Sequence, residues 1–109
     1  MGDKRFYSPY LCADVILTDE RERHILFRHA DLGPVSEMER MLGETLRAPE
    51  IIQKSRRDRS GLVFIRWQPD LHKGKYLLVH VINDTERKWI ITAYSSHEIP
   101  EGEILWQGL

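Results

Sequence analysis

Two histidines in one predicted helix are the residues of this sequence best suited to chemistry. His24 and His29 lie in the stretch Val15–Leu32, which begins with a short apolar run that predicts a strand. Thr18 or Asp19 then offers a side-chain oxygen that can accept from the free N–H groups of a helix start. Imidazole titrates near neutral pH and can give or take a proton. We therefore expect any chemistry of this chain to begin in this helix.

Each histidine also has a purely structural interpretation. His24 falls on the polar face of the helix with Arg28, but Glu20 is also four residues away, so a surface ion pair explains it equally well. His29 lies beside the apolar stripe that includes Ile25, where a buried and hydrogen-bonded histidine is at least as good an interpretation. The spacing alone leaves both alternatives open.

A second group of polar side chains falls on one face of a predicted sheet. Side chains alternate between the two faces of a strand. In three predicted strands this alternation places Arg66, His80, Thr92 and Tyr94 together, opposite the apolar face. A solvated face is the alternative, because antiparallel sheets often have one polar side. The first helix borders this face only if its polar edge projects beyond the rim of the sheet.

Two helices precede the strands. The sequence predicts a loose arm over residues 1–14, a first helix over about 19–30 and a second over about 35–47. Gly33-Pro34 separates the helices, since proline favours a helix start and not a continuation. Apolar residues at three- and four-residue spacing give the second helix a core-facing stripe.

Short strands and turns fill the rest of the chain. Strands are predicted over 62–67, 75–82 and 88–94, with an edge strand over 103–106. The short connections favour antiparallel hairpins, because parallel strands need a long crossover. The predicted fold class is therefore α+β, with two N-terminal helices packed on one face of a three- to four-stranded antiparallel meander sheet.

Chain length, cysteine count, apolar runs and net charge restrict the class of protein. With 109 residues the chain is predicted to form one domain, 1–109. Cys12 is the only cysteine, which excludes an internal disulfide and fits the reducing cytoplasm. No apolar run reaches the roughly 20 residues of a membrane helix, and no signal peptide is recognisable. The net charge of −1 means that any nucleic-acid binding must use a local basic patch.

Several short motifs follow one another along the chain in a distinctive order and spacing. They are Leu17-Thr18-Asp19-Glu20-Arg21, His24-Ile25, Arg28-His29, Ser55-Arg56-Arg57-Asp58, Gly74–Val79 and Thr92-Ala93-Tyr94. Together they resemble a nuclease superfamily, over about residues 15–106, and most closely the phage-associated branch of the group that contains barnase, the EndoU nucleases, the colicin nucleases and the RelE toxins. Ala30 departs from the pattern, since relatives are expected to have proline there, and the net charge is low for a toxin.

The resemblance implies a metal-independent endoribonuclease with no cofactor. Such an enzyme needs a base for the ribose 2′-hydroxyl, an acid for the leaving 5′-oxygen and donors around the phosphate. It implies RNA as substrate, an immunity or antitoxin protein as partner, and a cytoplasmic location. By this resemblance the catalytic candidates are His24, His29, Thr92 and Tyr94, and the phosphate- or RNA-binding candidates are Ser55, Arg56, Arg66 and Lys75.

Other interpretations stay open at this stage. Ser55 and Arg56 also fit a solvated charged loop, and Lys75 fits the exposed end of a hairpin. A non-catalytic member of the same fold that binds RNA or a protein is the main alternative function. A small-molecule domain is a third, and a deep apolar pocket away from Arg66, Lys75 and Thr92 would favour it.

Overall fold

The structure is a computed structural model that describes residues 2–108. These residues form two α-helices, a short 3-10 helix and seven strands. In chain order the elements are β1 (Lys4–Ser8), β2 (Ala13–Leu17), α1 (Asp19–Arg28), the 3-10 helix (Ala30–Leu32), α2 (Val35–Arg47), β3 (Ile51–Lys54), β4 (Gly61–Gln68), β5 (Lys75–Asn83), β6 (Lys88–Ser96) and β7 (Ile104–Gln107).

All seven strands belong to one mixed sheet in the order β1-β2-β6-β5-β4-β3-β7. Every neighbouring pair is antiparallel except β2 and β6, which are parallel. The predicted fold class is therefore wrong. The expected antiparallel meander is present as β4, β5 and β6, but two strands extend the sheet on each side of it.

The N-terminal segment is the largest departure from the prediction. The loose arm expected over residues 1–14 is wrong, because β1 pairs with β2. Lys4 lies opposite Leu17 at one end of the pair, and Ser8 lies opposite Ala13 at the other. A tight turn joins the strands, with Cys12 at φ 54° and its N–H donating to the Pro9 carbonyl at 3.2 Å. Phe6 packs against the main core and holds the hairpin on the sheet.

Both helices pack against the main core on one face of the sheet. Thr18 begins α1 by accepting a hydrogen bond from the Arg21 N–H at 3.2 Å. Helix α2 has the predicted bounds, and its apolar stripe packs on β1, β4 and β5. No helix among residues 2–108 is long and apolar enough to cross a membrane. The fully buried core includes Ile25, Leu32, Met38, Leu42, Leu46, Phe64, Val79, Ile90 and Ala93.

A β-bulge in β6 changes which side chains face the helices. His80 lies opposite Thr92, but Val81 lies opposite Ile90, so Ile91 is an extra residue on β6. Ile90 and Ala93, three residues apart, therefore both enter the main core. Regular alternation along β6 would instead place Ile91 on the same face as Ala93, and the bulge overturns that expectation.

A smaller apolar cluster lies on the opposite face of the sheet. Val63, Ile65 and Leu78 are buried there, and Ile99 from the loop between β6 and β7 packs on them. The same loop is fixed to the sheet by Gln53, whose side-chain amide donates to the Pro100 carbonyl at 2.8 Å. This face is therefore partly covered by the chain itself.

Candidate functional site

A cleft lies between α1 and β6. Strand β2 pairs with β6 only at Ile16 and Trp89. Along the rest of that edge of β6 no strand among the described residues forms a pair, and α1 packs there instead. The polar edge of α1 thus reaches past the rim of the sheet. The cleft has a volume of about 570 Å³ and is lined by Arg21, His24, Arg28, His29, Arg57, Ile91, Thr92 and Tyr94.

Helical spacing places the α1 side chains of the cleft. Arg21, His24 and Arg28 are three and four residues apart and share one face of the helix. His24 and Arg28 are exposed to solvent. His29 ends the helix, where its N–H still donates to the Ile25 carbonyl at 2.7 Å. The half-buried His29 ring lies over β6, with its centroid 5.8 Å from that of the Tyr94 ring.

The β6 side of the cleft is organised around Tyr94. The bulge at Ile91 leaves Ile91, Thr92 and Tyr94 at the cleft. The Tyr94 hydroxyl and the His80 Nε2 are 3.2 Å apart, and their rings are 5.4 Å apart. Burial lowers the pKa of His80, and the positive charge of Arg57 lowers it further. A neutral His80 therefore supports the Tyr94 hydroxyl from the side opposite His29.

The loop between β3 and β4 brings Arg57 to the cleft. Ser55 is buried, and its hydroxyl oxygen accepts from the N–H groups of Arg57 at 3.1 Å and Asp58 at 3.2 Å. The Ser55 N–H donates to the Gly61 carbonyl at 2.9 Å, which closes the loop. A Cβ atom at Gly61 would lie 2.6 Å from that of Ser55. Ser55 therefore holds the backbone at Arg57 and does not itself line the cleft.

The cleft is electropositive although the chain carries a net charge of −1. Arg21, Arg28 and Arg57 supply three guanidinium groups, and no carboxylate among the described residues lines the cleft. The Nε of Arg21 is buried and lacks a hydrogen-bond partner among residues 2–108. No ion pair joins Glu20 to His24 in that part of the chain. The positive charge is thus concentrated where the imidazoles are.

The four catalytic candidates come together in the cleft, but none of the four phosphate-binding candidates lines it. Arg66 was expected beside His80, Thr92 and Tyr94, and this is wrong: it shares the helix-facing side of β4 with Phe64. Its guanidinium donates to the Ala48 carbonyl at 2.7 Å.

Lys75 and Arg56 also lie outside the cleft. Lys75 alternates with Tyr76 and shares the helix-facing side of β5 with Leu77. We therefore leave Arg66 and Lys75 out of the site. Arg56 borders an adjoining cavity on the other side of Tyr94.

Comparisons with known proteins leave the cleft to be interpreted from its own geometry. No protein-family model, curated protein or solved structure matches the chain. The resemblance to the nuclease superfamily therefore stays an expectation.

Sequence reasoning missed Arg21 and Arg57 as site residues and gave too little weight to His80. The signal for Arg21 was present, because it shares the helical spacing of His24 and Arg28. Arg57 belongs to the basic cluster after β3, but the sequence does not show which of its arginines faces the cleft. His80 was placed on the correct face, and its contact with Tyr94 depends on strand register.

Proposed function

We propose that this chain is a ribonuclease that cleaves RNA in the cleft between α1 and β6. One observation carries the proposal: two imidazoles and three guanidinium groups line the same cleft of about 570 Å³. Imidazole is the side chain that most often gives and takes protons in catalysis, and His24 and His29 supply two of them. The guanidinium groups suit an anionic substrate such as a phosphodiester, because each can donate two hydrogen bonds to its non-bridging oxygens.

The proposed reaction uses the 2′-hydroxyl of the RNA as the nucleophile. One histidine takes the 2′-hydroxyl proton as the oxygen attacks phosphorus, and the bond from phosphorus to the 5′-oxygen breaks. The other histidine gives a proton to that 5′-oxygen. The products are a 2′,3′-cyclic phosphate and a free 5′-hydroxyl, so no water is consumed in this step.

The remaining side chains of the cleft suit the charge that develops on phosphorus. The two non-bridging oxygens carry more negative charge in the transition state than in the substrate, and fixed donors nearby lower the barrier. Arg21, Arg28 and Arg57 supply charged donors, and Thr92 and Tyr94 supply hydroxyl groups. In this proposal the cations of the protein take the place that a metal ion has in other nucleases.

A second candidate function uses the same cleft without turnover. The low net charge, −1, is unlike that of a protein that binds RNA over its whole surface, and it fits a module that recognises one phosphate group. Such a module would bind RNA or an acidic segment of a protein. A cytoplasmic site of action and an inhibitory immunity or antitoxin partner remain predictions that accompany the ribonuclease proposal.

The test is RNA cleavage in the presence of EDTA. We expect the wild-type chain to cleave, and the His24→Ala/Thr92→Ala double variant to be slower by a factor of about 10² or more, as for the loss of a general acid or base. His97→Ala is the matched control, since His97 is exposed and outside the cleft. Cleavage no faster than that of the double variant contradicts the proposal. RNA binding without cleavage supports the non-catalytic alternative.

A further inference from the structure

A second, smaller cavity adjoins the cleft. Its volume is about 210 Å³, and it lies on the sheet face opposite the helices. Tyr94 and Arg57 line both cavities, so a ligand in one is in reach of the other. We call this cavity the base pocket.

The floor and one side of the base pocket are apolar or aromatic, and polar side chains of the loops around it, among them Arg57 and Glu101, complete its lining. Val63 and Leu78, both buried, form its floor, and the rings of Tyr94 and His80 form one side. Pro100 also lines it. Planar heterocycles stack on tyrosine and histidine rings, which is how proteins bind unpaired RNA bases. An apolar cavity of about 150 Å³ is enough for benzene, so this one has room for a nucleobase.

The pocket is held in shape before any ligand arrives. The loop that carries Pro100 is fixed by the Gln53 amide, which donates to the Pro100 carbonyl at 2.8 Å, and Gln53 is itself buried. The Lys54 N–H donates to the Glu103 carbonyl at 2.9 Å. A Cβ atom at Gly102 would lie 2.8 Å from the Gln53 side-chain oxygen, so the loop lies close against that side chain. A preformed pocket binds with a smaller loss of entropy.

We infer that the base pocket receives the nucleobase of the nucleotide whose phosphate lies in the cleft. The inference rests on the proposed function, because it needs RNA as the ligand. The shared residues give the physical connection: Arg57 reaches the phosphate side and Tyr94 separates base from phosphate. Cleavage is then selective for the base that best fits against Tyr94 and His80, although the cleft contacts only the backbone.

Binding without cleavage tests this inference separately. The probes are the 3′-monophosphates of adenosine, cytidine, guanosine and uridine, and ribose 3-phosphate as the base-free reference. We expect at least one nucleotide to bind the wild-type chain ten times or more tighter than the reference in calorimetry. In Val63→Phe, which fills the pocket floor, we expect this advantage to fall below threefold while binding of the reference is unchanged. Ile51→Phe is the matched control, since Ile51 belongs to the same apolar cluster but lies outside the pocket.

A second measurement keeps the inference testable if Val63→Phe does not fold. In methyl NMR spectra of the wild-type chain, a nucleotide should shift the Val63 and Leu78 signals and ribose 3-phosphate should not. Equal binding of all four nucleotides and the reference, or unmoved Val63 and Leu78 signals, overturns the base pocket even if RNA is cleaved. A base-dependent advantage in a chain that does not cleave RNA supports the pocket and overturns only the catalytic proposal.

Discussion

Tyr94 lies between two imidazoles, and their surroundings differ. His80 is partly enclosed by the sheet, and burial together with Arg57 lowers its pKa, so it stays neutral near pH 7. His29 is half-buried at the end of α1, and its ring centroid lies 5.8 Å from that of Tyr94. In the proposed reaction His29 and His24 move protons, whereas His80 holds the Tyr94 hydroxyl in place.

The lowered pKa of His80 predicts a specific dependence of stability on pH. The unfolded chain binds the His80 proton at higher pH than the folded chain, so this residue lowers the free energy of unfolding as the pH falls below about 6.5. In His80→Phe we expect the free energy of unfolding to fall less between pH 7.5 and 5.0 than in the wild type. Urea titrations at the two pH values measure the difference. His97→Ala should behave like the wild type, and equal losses in wild type and His80→Phe contradict the prediction.

The residues that suit chemistry were easier to identify from sequence than the face of the sheet on which each side chain lies. Sequence periodicity placed His24 on the polar edge of α1 and Thr92 with Tyr94 on one face of β6, and the structure brings these residues to one cleft. Periodicity failed for Arg66, since assigning the faces of β4 requires knowing which apolar set meets the helices, and both sets are apolar. That choice depends on the packing of the whole sheet.

At the scale of elements, one charged cluster joins β1 to both helices. The Lys4 ammonium lies 2.8 Å from a carboxylate oxygen of Glu22 in α1 and 2.9 Å from one of Glu39 in α2. Hydrogen bonds to these carboxylates raise the pKa of Lys4. Burial, followed by the hydrogen bond with Glu39, raises the pKa of Glu22, which makes Glu22 the first of the two to take a proton. The cluster therefore fixes α1, and with it the cleft, to the N-terminal hairpin.

Removing Lys4 leaves two adjacent carboxylates without their shared cation. For Lys4→Ala we expect a loss of about 1–2 kcal/mol in the free energy of unfolding at pH 7, less than for a fully buried pair because the Lys4 side chain is 36% exposed. The loss should shrink near pH 4, where protonation of Glu22 ends the repulsion. Arg5→Ala, at an exposed neighbouring position, is the control in the same denaturation series. A loss that stays the same or grows towards pH 4 argues against this cluster.

The loop between β3 and β4 controls the position of Arg57 through a close contact of its backbone. A side chain at Gly61 would displace Ser55 and Asp58, whose Cβ atoms lie 2.6 and 3.0 Å from the position of its Cβ. We expect Gly61→Ala to weaken RNA binding by roughly the tenfold that the loss of one charged hydrogen bond costs. The measurement is fluorescence anisotropy with a 2′-O-methyl oligonucleotide. Gly43→Ala is a control with an ordinary contact to Phe6, and an equal loss in both variants contradicts this role for the loop.

Elements with strong local signals were predicted correctly, and those without them were missed. Helix α2 has the predicted bounds of 35–47, and β4, β5 and β6 agree within two residues of their ends. Strand β1 was missed because it is short and rich in charged and polar residues. Its formation depends on pairing with β2 and on burial of Phe6, and neither is a property of the local sequence.

The architecture of the whole molecule depends on interactions that leave almost no trace in the sequence. The parallel contact of β2 with β6 consists of the single pair Ile16 and Trp89. The bulge at Ile91 reverses which face of the sheet the β6 side chains on one side of it occupy. Together they open the space beside β6 that α1 occupies. The sheet therefore creates the cleft, and the local sequence supplies the side chains that line it.

The charge distribution of the molecule predicts how binding depends on salt. With three arginines at the cleft and a net charge of −1, only a few counterions are released on binding. For single-stranded RNA each phosphate contact adds about −0.7 to the slope of log affinity against log salt concentration. Three contacts therefore predict a slope of about −2. Arg57→Ala should reduce its magnitude by about 0.7, and Arg59→Ala, in the same loop but outside the cleft, should not. A slope near zero, or equal effects of both variants, contradicts a local RNA site.

The most direct test of the account uses a DNA strand that contains a single ribonucleotide. Only that position has the 2′-hydroxyl that the proposed reaction requires. In EDTA we predict one cut on the 3′ side of the ribonucleotide, with a 2′,3′-cyclic phosphate end identified by mass spectrometry. We also predict that the cut is lost in His24→Ala and kept in His97→Ala. An uncut strand, or cutting of an all-DNA strand at the same rate, would contradict the claim that the α1 histidines activate a ribose hydroxyl.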